Sequence, residues 1–82
     1  MDEKQIFEHI EELVNEEHAL MQRATTEEGG LTEGEQARMH QLEVGLDQCW
    51  DLLRQRRARK HAGLDPDEAR ARDADTVERY LQ

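Results

Sequence analysis

The chain has one cysteine, one proline, one tryptophan, one tyrosine and one phenylalanine in 82 residues. With Cys49 alone, a disulfide within the chain is excluded, as is a zinc site of four cysteines or of two cysteines and two histidines. Only 35% of the residues are hydrophobic, and no window approaches the roughly 20 apolar residues of a membrane-spanning helix. The phosphate-cradling patterns G-x-x-x-x-G-K and G-x-G-x-x-G are missing. So are strand-like alternation, internal repeats and low-complexity tracts. The acidic start MDEKQIFEHIEE matches neither a secretory signal nor an Arg-rich transit peptide. Together with the lone thiol, this predicts a cytoplasmic protein with no membrane partner.

What the chain has in excess is charge. Charged residues make up 38% of it, with a net charge of −9. Residues 1–35 carry eleven acids against two bases, residues 36–62 six bases against three acids, and residues 63–82 six acids against three bases. The acidic total argues against a general nucleic-acid coat protein. The middle third is the local exception.

Two long helices are predicted. Asp2 caps the first, with Gln5 as the reciprocal partner of a capping box. The first helix runs to about Thr25 with apolar residues at Ile6, Phe7, Ile10, Leu13, Val14, Leu20, Met21 and Ala24, a wide stripe at helical spacing. Ile6, Leu13 and Leu20 repeat at seven, as do Phe7, Val14 and Met21. Glu17 falls mid-stripe, between Ile10 and Ala24. The Gly29–Gly30 pair signals a turn. Thr32 and Glu35 form a T-x-x-E box for a second helix to about Ala62, and Gly63 suits its C-terminal cap. The seam of that helix is Met39, Leu42, Leu46, Cys49 and Leu53, with Trp50 and Leu52 on either side. Asp65-Pro66-Asp67-Glu68 signals a short helix through about Arg72, and Asp75 to Leu81 a last turn or two, with Val77, Tyr80 and Leu81 on one side.

A short turn makes the two long helices antiparallel. The predicted fold is therefore all-α. Residues 1–62 form a long antiparallel helical hairpin, turning at about 26–31. Residues 63–82 form one or two short C-terminal helices. Folding at 29–30 brings Leu20 near Met39, Leu13 near Leu46, and Ile6 near Leu53. It also brings Asp2 and Glu3 near Arg56 and Arg57. A hairpin cannot cover both wide stripes unless the C-terminal segment or a second copy does so. The expected solution is a homodimer that forms a four-helix bundle.

The strings DEKQIFEHIEELVNEEHAL, LDQCWDLLRQRRA and AGLDPDEA resemble a family of short bacterial proteins catalogued only as a domain of unknown function. The resemblance spans most of the chain. It implies a small, stand-alone bacterial protein and brings no substrate, cofactor or catalytic residue.

Four residues are the candidate interface: Trp50 and Leu52 beside the seam, and Arg56 and Arg57 in the cationic run Arg54–Lys60. That run has the charge to meet phosphates. It lacks interleaved aromatics and any nucleic-acid-binding motif, so helix-end electrostatics is the favoured explanation. Glu17 is the candidate buried polar group, since a mid-stripe carboxylate needs a partner. Arg38 and His40 lie near its level, and a metal or ligand at the bundle centre is the alternative. No Glu-x-x-His pair exists on the predicted helices. The i, i+4 pairs Glu12–Glu16 and Asp47–Asp51 lie off the seam and are assigned to solvated faces. Cys49 is read as a small core hydrophobe. The sequence thus predicts a non-enzymatic interaction or regulatory module with no catalytic residue, cofactor or metal. A nucleic-acid accessory protein and a ligand-binding bundle centred on Glu17 are the alternatives.

Overall fold

The computed structural model describes residues 1–26 and 29–81, with side chains as far as Arg79. Glu27 and Glu28 of the expected turn lie outside the described residues, as do the side chains of Tyr80 and Leu81. The elements in chain order are α1 (Glu3–Thr26), α2 (Glu33–His61), a 3-10 turn (Pro66–Glu68) and α3 (Ala74–Leu81). There is no strand among the described residues.

Each helix starts where its side chains satisfy the first unpaired backbone N–H groups. Gln5 N donates to Asp2 Oδ1 at 2.8 Å, and Asp2 N to Gln5 Oε1 at 2.9 Å. The same reciprocal box opens α2: Glu35 N donates to Thr32 Oγ1 at 3.2 Å, and Thr32 N to Glu35 Oε1 at 2.9 Å. At the far end of α2, Leu64 N donates to Arg59 O at 2.7 Å and Gly63 N to Lys60 O at 3.1 Å. Gly63 sits at φ 76°. This is the Schellman closure, whose left-handed residue favours glycine.

The hairpin register follows the sequence pattern. Ile6 and Ile10 of α1 share one buried cluster with Cys49, Leu52 and Leu53 of α2, and Leu13, Leu46 and Ala69 pack against it. A Cβ on Gly45 would lie 3.3 Å from Leu13 Cδ1, so glycine permits the close approach there. Cross-helix ion pairs keep the same antiparallel order. Glu3 meets Arg57 at 3.6 Å, Glu16 meets Arg38, and Arg23 meets Glu35.

Helix α2 is the central element. The other three elements each pack on it, and among the described residues α1 and α3 do not pack on each other. The result is flat, 53 × 25 × 15 Å, with a radius of gyration of 15.3 Å. A compact chain of this length would have about 12 Å. Because α2 has neighbours on more than one side, apolar residues off the α1 seam are also buried, Leu52 among them.

The C-terminal segment departs from expectation. Instead of a helix through Arg72, only Pro66–Glu68 turns, as a 3-10 helix capped by Asp65. Ala69 is then extended (φ −63°, ψ 140°), and regular helix resumes at Ala74. The physical reason lies in α2. Gln55 Nε2 donates to Arg70 O at 2.7 Å and Gln48 Nε2 to Arg72 O at 3.2 Å. Side chains of α2 thus satisfy carbonyls of a stretch that makes no helical hydrogen bonds of its own. Thr76 N donates to Asp73 Oδ1 at 2.7 Å, which caps α3, and Val77 is fully buried.

Candidate interaction surface

One face of the hairpin stays apolar and open. Phe7, Val14 and Met21 are 43%, 39% and 53% exposed. Seven-residue spacing lines them up along the outside of α1. Trp50 of α2, 43% exposed, joins them. Its ring meets Phe7 edge-on, with centroids 6.4 Å apart and planes at 77°. The molecular surface totals 6054 Å². A compact monomer of this mass would have about 5,100 Å², so the flat shape leaves roughly 1,000 Å² of extra surface.

The four candidate interface residues separate. Trp50 is on the open face. Leu52 is not: it is 8% exposed and part of the core cluster, because the segment around Ala69 closes over it. Arg56 shares a cleft with Glu3 but makes its bonds to the C-terminal segment. Its Nη1 meets Asp67 Oδ1 at 2.9 Å and Pro66 O at 3.2 Å. Only Arg57 keeps the expected acidic neighbour, Glu3. Arg59 bonds Glu68 at 2.6 Å and the Asp65 carbonyl at 2.7 Å. Much of the cationic run is therefore matched by acids that follow it in the chain.

The buried carboxylate is Asp51, not Glu17. The Asp51 side chain is 3% exposed, and its Oδ2 accepts from Gln55 Nε2 at 2.9 Å and lies 3.6 Å from Arg72 Nε. Assigning it to a solvated face fails because the C-terminal segment covers that flank of α2. Glu17 is half-buried. The cation expected beside it goes one residue back, with Arg38 Nη2 donating to Glu16 Oε1 at 2.9 Å. That hydrogen bond is the main cause holding the Glu16 carboxyl below the usual glutamate range. Glu35 is likewise held low, first by the Thr32 backbone N–H.

Cys49 is buried at the α1–α2 contact, and desolvation pushes its thiol up. That favours the inert thiol over the reactive thiolate. No group of three or more His, Cys, Asp or Glu side chains is placed to hold a metal among the described residues. No described helix is long and apolar enough to cross a membrane.

Two features escaped the sequence. Phe7, Val14 and Met21 carried a signal, a second heptad line beside the Ile6–Leu13–Leu20 line that the spacing set against α2, but the spacing does not say that this second line stays open. Asp51 carried none, since only the path of residues 64–73 buries it.

The family model described as a protein of unknown function (DUF2630) matches residues 2–82. An uncharacterized protein of Mycobacterium tuberculosis is 55% identical to this chain over 73 residues, covering 88% of this chain and 82% of its own length. An uncharacterized protein of Mycobacterium bovis matches to the same extent. No solved structure matches.

Proposed function

The chain belongs to the DUF2630 family of proteins of unknown function, and we propose that it is a non-enzymatic helical interaction module that pairs with a second copy through the outer face of α1. The observation that carries this reading is the exposed Phe7–Val14–Met21 line with Trp50 beside it. Apolar side chains in a row on one helix gain by leaving water together. The molecule is 15 Å in its thinnest dimension, so a second copy laid on this face makes a two-layer bundle. The extra surface of roughly 1,000 Å² is about what each partner contributes to a standard interface, roughly 800 Å².

Symmetry and charge favour the antiparallel arrangement of the two α1 helices. The apolar line is centred on Val14, so a twofold axis there superposes it on itself. Lys4, Glu11, His18 and Thr25 border the line at offsets of three or four residues. In the antiparallel pair Glu11 of one copy lies opposite His18 of the other. Nucleic-acid contact has less support, because Arg56 and Arg59 are matched by Asp67 and Glu68.

Sedimentation equilibrium at micromolar concentration tests this reading. A dimer is expected, strengthened by salt because α1 is acidic, and weakened by Val14→Glu or Trp50→Ala with helix content unchanged. A monomer at all concentrations and salts would overturn it.

A further inference from the structure

Residues 65–72 are held in an unusual way. Four main-chain carbonyls of this strap each accept a hydrogen bond from a side chain of α2. Arg59 Nε donates to Asp65 O at 2.7 Å and Arg56 Nη1 to Pro66 O at 3.2 Å. Gln55 Nε2 donates to Arg70 O at 2.7 Å and Gln48 Nε2 to Arg72 O at 3.2 Å. The donors ascend α2 as the acceptors descend the strap, so the two run antiparallel. Asp65 and Pro66 open the 3-10 turn, and Arg70 and Arg72 lie in the non-helical stretch after it, so the donors read main-chain carbonyls of a turn followed by an open strand-like segment, whatever its side chains.

Side chains add selectivity. Arg56 and Arg59 take the acidic pair Asp67 and Glu68, and Asp51 takes Arg72. Ala69 packs against the core cluster. Ala71 lines an apolar recess of about 190 Å³ with Gly45, Cys49 and Leu52. A second cleft of about 410 Å³ beside Asp51, Gln55, Ala58 and Arg72 is left unfilled by the strap.

We propose that this flank of α2 is a peptide-binding groove, occupied in cis by the chain's own strap. Its partner is a peptide that turns at two acids and then runs on without helix through small residues alternating with a base, in the pattern of Asp67-Glu68-Ala69-Arg70-Ala71-Arg72. The groove lies on other residues than the outer face of α1, so it stands whether or not the chain dimerises. The strap is joined at Gly63–Leu64 and is present at the high effective concentration of a tethered ligand. A peptide arriving in trans must therefore displace it.

The test uses the full chain and a synthetic fluorescent peptide of residues 64–74. The double variant Asp67→Lys with Glu68→Lys sets like charges against Arg56 and Arg59 and loosens the cis strap. The peptide, which keeps both acids, is expected to bind this variant at least about tenfold tighter than the wild type. Binding should shift the Gln48 and Gln55 side-chain amide resonances and be lost when Gln48→Ala and Gln55→Ala are added. No binding by a variant of unchanged helix content would overturn the proposal. Equal binding to variant and wild type would also overturn it, since the peptide would then sit elsewhere. Should the variant lose its helices, the wild type decides. Peptide at millimolar concentration that shifts the Gln48 amide in the wild type, and not in Gln55→Ala, supports the groove; no shift overturns it.

Discussion

Asp51 Oδ2 lies 3.6 Å from Arg72 Nε, and this pair ties the centre of α2 to the strap that leads into α3. The carboxylate is buried while the guanidinium is half-exposed, so the pair also seals the strap against α2. Asp51→Ala leaves the Gln55 amide and Arg72 without this acceptor. Loss of a buried hydrogen-bond acceptor costs about 1–3 kcal/mol. The expected result is a lower urea midpoint, with faster hydrogen exchange in α3 than in α1. Equal protection in the two helices would contradict the tie.

Leu52 and Trp50 are two residues apart and are expected to behave oppositely. Leu52→Ala removes a core side chain and costs about 2–4 kcal/mol in folding stability. Trp50→Ala, measured at concentrations where the monomer dominates, loses mainly the edge-on contact with Phe7, about 1 kcal/mol. Urea midpoints of the two variants check this. A larger loss for Trp50→Ala would reverse the assignment of which residue is core.

Acid is expected to weaken the α1–α2 hairpin. Glu16 and Glu35 both have folded-state carboxyls held below the ordinary glutamate value of 4.5. A carboxyl depressed in the folded state contributes stability that is fully present above its unfolded value and is lost as pH falls through the folded one. The urea midpoint should be level above pH 4.5 and decline below it, with Glu16→Gln plus Glu35→Gln flattening the decline. An acid limb unchanged in that double variant would place its origin in other carboxyls.

Cys49 is expected to be chemically quiet in the native protein. Its burial and raised thiol pKa keep the thiolate scarce near neutral pH. Iodoacetamide should label it roughly tenfold or more slowly in buffer than in urea. Rapid native labelling would show that the α1–α2 contact opens readily around it.

The sequence by itself determined the helices, their starts and the hairpin register. Those features rest on short-range rules: capping partners three residues apart, and apolar residues repeating at the helical period. Asp2 with Gln5, Thr32 with Glu35, and Ile6 against Leu53 all follow from such spacing. Gly63 belongs with them, since its left-handed conformation closes α2 locally. The seam residues Cys49 and Leu53 were legible for the same reason, and so was the Glu3–Arg57 neighbourhood.

Tertiary structure alone decided the rest. Whether Leu52 faces water, whether Asp51 is buried, and which acid meets Arg56 all depend on the path of residues 64–73. That stretch has no hydrophobic period to fix it. Its course is set by side chains of α2 that bond its carbonyls, and a hydrogen bond between residues 6 to 24 positions apart leaves no mark in local spacing. On the other side of the hairpin the spacing had already set the Ile6–Leu13–Leu20 line against α2, and packing decided only how much of the second line stays in water. Packing buried Ile6 against α2 and left Phe7, Val14 and Met21 exposed to water.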